Sequence, residues 1–89
     1  MKATRHNLKK IEELFEELSY DILYEKGTFN SGYCLVEQQK KIVINKFYDI
    51  EARMNTLTDL LVELAPDFDH LSESAAKTLA SIYQENENH

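Results

Sequence analysis

The chain is short of the residues that punctuate and cross-link small proteins: it has one cysteine, one proline, two glycines and no tryptophan. With Cys34 alone no intrachain disulfide can form, so the fold must rest on its core, and a reducing, cytoplasmic setting is expected. Gly27 and Gly32 stand apart and build no glycine-rich phosphate loop. So few turn residues also argue against an all-β barrel. Bases are the scarcer charge, ten Lys and Arg against sixteen Asp and Glu, for a net charge of −6. Nucleic-acid binding rests on cations neutralising phosphates and is therefore disfavoured. An anionic membrane surface is disfavoured for the same reason. No window approaches the roughly 20 apolar residues needed to span a bilayer, so no membrane partner is expected. The opening stretch MKATRHNLKK is basic with no apolar run behind it, and no signal peptide is expected there.

What is present suits one folded unit. Apolar residues make up 43% and charged residues 29% of 89 residues, too apolar for disorder. We read 1–89 as a single domain whose ends, about 1–5 and 85–89, fray. Leu8, Ile11, Leu14, Phe15 and Leu18 recur at helical spacing, with Glu12, Glu13, Glu16 and Glu17 opposite and Asn7 or Thr4 as the cap. Tyr20, Ile22 and Tyr24 then alternate as in a half-buried strand, and GTFNSG connects to a partner; a continued helix, whose stripe Ile22 would extend, is the alternative. Tyr33 to Val36 and Lys41 to Asn45 are the next strands, joined by EQQK. Ile42 and Ile44 share one face and Val43 points to the other. Asp49 caps a helix with Ile50, Met54, Leu57, Leu61 and Leu64 in one stripe, widened by Leu60. Burial of that stripe is worth about 10–15 kcal/mol before entropy is subtracted. Pro66 closes it, and Ser72 or Asp69 caps a last helix that faces Leu71, Ala75, Leu79, Ile82 and Tyr83 inward. The expected fold is α+β: a helix, a three-stranded antiparallel sheet, then two helices packed on one sheet face.

In layout, residues 31–65 resemble the N-terminal part of IrrE-like zinc metallopeptidase domains, where a strand like KIVINK precedes a helix carrying His-Glu-x-x-His. The resemblance implies zinc-dependent hydrolysis, but the motif is missing. ARMNTLTDLLVEL sets Asp59 and Glu63 at the histidine positions and Leu60 at that of the general base, and a leucine takes no proton. The passage GYC, an apolar strand and an NK step are also similar to a loose set of small bacterial proteins, which implies no activity.

Other chemistry has few places to sit. Asp59 and Glu63 share a helix side, and DFDHLSE adds His70 among further acids, so Asp59, Glu63 and His70 are the candidate metal ligands for an acidic, hydrolase-like site. The plainer reading of the same residues is a solvated helix face and a polar turn with its cap. Cys34 is the lone candidate nucleophile, with His70 the one histidine worth pairing to it; a buried strand cysteine is the commoner case. Tyr20, Tyr24, Phe29, Tyr33, Phe47 and Tyr48 gather near Lys40, Lys41 and Lys46, a pattern that packing explains better than base stacking. No complete catalytic set is assembled and no cofactor is implied. The expectation is a cytoplasmic, non-enzymatic protein-interaction module that self-associates as a homodimer through an exposed sheet face carrying Leu23, Leu35 (or Tyr33 beside it) and Val43. A one-residue shift in any strand would exchange that list for its neighbours.

Overall fold

A computed structural model describes residues 1–26 and 32–87. Among these residues three helices and three strands follow one another: α1 (Arg5–Glu17), β1 (Asp21–Glu25), β2 (Tyr33–Val36), β3 (Lys41–Asn45), α2 (Ile50–Leu64) and α3 (Glu73–Glu87). The expected connection GTFNSG, Phe29 within it, and the end of the polar tail with His89 fall largely outside the described residues.

Each helix start is set by a short polar side chain. Thr4 Oγ1 accepts from Asn7 N–H at 3.1 Å, Asp49 Oδ1 from Ala52 N–H at 2.8 Å, and Ser72 Oγ from Ala75 N–H at 3.1 Å. α1 ends in a Schellman motif whose left-handed residue is Ser19 rather than glycine, at φ 67°. Tyr20 N–H donates to Phe15 O and Ser19 N–H to Glu16 O, both at 2.9 Å, and the Tyr20 ring meets Phe15 edge-on. That motif turns the chain directly into β1. α2 ends on Ala65, also left-handed at φ 46°, immediately before Pro66.

The α+β class holds, but the sheet is mixed, not antiparallel. Its strand order is β1-β3-β2, with β1 parallel to β3 and β2 antiparallel to it. The physical reason lies in β3. KIVIN carries the two strand residues that are fully buried, Ile42 and Ile44, and it takes the centre, where both its edges are bonded. The chain between Glu25 and Tyr33 needs to cross only two strand spacings, about 10 Å, to leave that place open. The EQQK joint forms a 3-10 turn over Glu37–Gln39 and closes with Lys40 left-handed at φ 51°.

The expected packing of two helices on the sheet is also corrected. α1 packs against both α2 and α3 and meets β1 as well. Leu8, Ile11, Leu14 and Phe15 of α1, Ile42 and Ile44 of β3, Met54, Leu57, Leu60 and Leu61 of α2, and Ala75, Leu79 and Ile82 of α3 form one core. No helix among the described residues is long and apolar enough to cross a membrane.

Candidate functional site

The register decides what the other sheet face carries. Leu23 lies opposite Val43, and Val43 opposite Cys34, so these three form a row across all three strands. Above and below it run Glu25 beside Asn45, and Asp21 beside Lys41 and Val36. Ile22, Tyr24, Ile42, Ile44, Tyr33 and Leu35 occupy the opposite face and pack into the core. Leu23 is 38% exposed and Cys34 is exposed, while Val43 and Val36 are half-buried.

Two of the three expected interface residues, Leu23 and Val43, therefore lie on the open face. Leu35 does not: it pairs with Ile42 and turns inward, and Cys34 stands in its place. Strand parity is the cause, since β2 runs against β3 with Cys34 in line with Val43. Cys34 is accordingly not the buried strand cysteine of the sequence reading.

The acidic candidates do not assemble. Among the described residues no group of three His, Cys, Asp or Glu side chains could hold a metal ion. Asp59 and Glu63 are exposed on α2, and Leu60 between them belongs to the core at 4% exposure. His70 is exposed in the turn before α3, left-handed at φ 66°.

A polar network missed by the sequence reading joins the helices to the sheet. The Arg53 guanidinium lies 4.2 Å from the centre of the Tyr24 ring, and the Tyr24 hydroxyl donates to the Glu12 carboxylate. Arg53 Nε and Nη2 donate to the carbonyls of Tyr48 and Lys46, each at 2.9 Å. This holds the β3–α2 connection, where Phe47 N–H donates to Asn45 Oδ1 at 2.9 Å. Burial, and then the Glu12 carboxylate, push the Tyr24 phenol well above its ordinary range; Arg53 opposes them. Arg53 and Glu12 also line a groove of about 650 Å³ with Arg5, Tyr48, Asp49 and Glu51. Its opposed charges offer no single ligand class a clear advantage, and Arg53 already serves the connection. No sequence spacing could have announced the network, because its members come from α1, β1 and α2.

The remaining aromatics are mostly structural. Lys40 lies 5.6 Å from the Tyr20 ring centre, and Tyr33 packs on the core. Gly32 is left-handed at φ 80°, which favours glycine, and a Cβ there would also meet the hydroxyl end of the Tyr48 side chain. Among the described residues Phe47, 71% exposed beneath Lys46, is the most exposed large hydrophobic side chain. Compared with models of protein families, with curated proteins and with solved structures, the chain matches none.

Proposed function

We propose that this chain is a small, cytoplasmic, non-enzymatic interaction module that self-associates through its open sheet face. The observation that carries the reading is the row Leu23, Val43 and Cys34, which crosses the whole sheet on the side away from the helices. An apolar row framed by Asp21, Lys41, Glu25 and Asn45 has the make-up of a contact patch with a polar rim. A second copy is the simplest partner, because a two-fold axis presents one patch to itself. An exposed thiol in such a patch supports a reducing compartment, since an oxidising one would cross-link it.

The size of the patch sets the strength. Strands spaced about 4.8 Å apart and rising about 3.3 Å per residue give this face roughly 200 Å². That is far below the ~800 Å² per partner of a stable interface, so the dimer is weak and reversible. Sedimentation equilibrium should show a dimer growing with concentration, and Val43→Glu should leave a monomer throughout, because it buries a charge at the centre of the row. A wild-type chain that stays monomeric into the millimolar range, or a Val43→Glu chain that dimerises as well as wild type, overturns the reading.

A further inference from the structure

Among the described residues β1 is an edge strand, and its register fixes which backbone groups it uses. Asp21 N–H donates to Lys40 O at 2.9 Å, and Lys46 N–H to Glu25 O at 3.0 Å. In this parallel ladder Asp21, Leu23 and Glu25 therefore turn their backbone groups toward β3. Ile22 and Tyr24 turn theirs outward, and neither has a backbone partner among the described residues. A row of unpaired N–H and C=O groups is a template for one more strand.

Charge selects the occupant. On the open face Asp21 and Glu25 are exposed on either side of Leu23. On the helix side Glu12 and Glu16 of α1, with Tyr20, Asp21 and Ile22, line a groove of about 250 Å³ beside the same edge. Both sets of side chains of an added strand would thus meet carboxylates. A second copy of β1 is a poor candidate: the antiparallel register that uses both Ile22 and Tyr24 sets Asp21 opposite Glu25 twice, like charge against like. An extended segment with basic residues around an apolar one meets Asp21 and Glu25 with its bases and Leu23 with its apolar residue.

We propose that the free edge of β1 captures a basic, extended peptide segment as a fourth strand. Its Lys or Arg side chains pair with Asp21 and Glu25 on one face and with Glu12 and Glu16 on the other, and its central apolar residue covers Leu23. This goes beyond the self-association above, since it uses the edge of the sheet rather than its face; Leu23 is common to both.

The probe is the peptide acetyl-Thr-Lys-Arg-Val-Thr-Lys-Thr-amide, with a control in which Glu replaces each base. Titration followed by amide NMR and hydrogen exchange should slow exchange at Ile22 and Tyr24, which loose electrostatic association would not do. The double variant Asp21→Lys/Glu25→Lys, both at exposed positions, should weaken binding about tenfold or more, as should Glu16→Lys to a lesser degree. N-methylating alternate peptide amides should abolish binding in one phase and spare it in the other, because only every second amide of an added strand faces β1. Val43→Glu should still bind, so a chain that never dimerises can still confirm the edge, and a dimer that ignores the peptide refutes the edge alone. Unchanged exchange at Ile22 and Tyr24, undiminished binding by the double variant, or equal binding of both N-methylated phases overturns the proposal.

Discussion

Ala65 ends α2 in a conformation that suits glycine. Its φ of 46° places the methyl group against its own carbonyl, and Pro66 crowds the same residue from the other side. The helix stops there because Ala65 N–H still donates to Leu61 O at 2.9 Å while Pro66 has no N–H to continue. The Ala65 side chain is exposed and packs nothing away from water. Ala65→Gly should therefore remove strain faster than it adds freedom to the unfolded chain, and stabilise by about 0.5–1 kcal/mol. In a domain of this size that raises the melting temperature by a few degrees, roughly 4–8 °C per kcal/mol. Calorimetry checks it, and a lowered melting temperature would show that the turn is held by something other than its dihedral angles. Gly32 shows the converse, where the same left-handed geometry is filled by the residue that suits it.

At the scale of elements, α1 and α3 are joined by an arrangement that neither helix holds alone. Ser72 caps α3, but the third position of that helix is Ala75, which cannot return a carboxylate to the cap as a capping box would. Glu17, at the end of α1, supplies it instead: Ser72 N–H and Oγ both donate to its carboxylate at 2.7 Å. These two bonds, the hydroxyl first, lower the Glu17 pKa below the ordinary carboxylate range. The folded chain then holds fewer protons than the unfolded one as pH falls, so the contribution is complete above the ordinary carboxylate range and is lost on acidification through the folded value. Glu17→Gln should lower the melting temperature near neutrality, with the gap to wild type closing toward acid. A gap that stays constant with pH would mean that the carboxylate charge has no part in the clamp. The elements themselves were legible because their signals are local: the helical stripes, the Asp49 cap and the β2 and β3 bounds can all be read from neighbouring residues. The pairing of β1 with β3 could not, since it depends on which strand gains most from the centre. Nor could the facing of Leu35 and Cys34, because one residue of register exchanges them.

For the molecule as a whole, the Glu12–Tyr24–Arg53 network joins α1, β1, α2 and the β3–α2 connection through polar groups. It ties two helices and a strand together by polar contacts in a chain that has no intrachain disulfide to do so. The same network should make the fold sensitive to alkali. Burial and the Glu12 carboxylate raise the Tyr24 pKa, so the folded chain keeps a proton that the unfolded chain gives up above about pH 10. Stability from this group is complete below that pH and declines as pH rises toward the folded value. Tyr83 adds a second contribution of the same sign, from burial and then Asp67, while its hydroxyl donates to Pro66 O at 2.7 Å. The comparison that isolates Tyr24 is therefore with Tyr24→Phe. That variant should be about 1–3 kcal/mol less stable at neutral pH, through the lost bond to a charged acceptor, yet show a shallower decline in alkali. In an alkaline titration Tyr24 should yield its phenolate absorbance later than an unburied phenol would. Alkaline stability curves that run parallel for wild type and Tyr24→Phe would show that the hydroxyl does not couple helix to sheet.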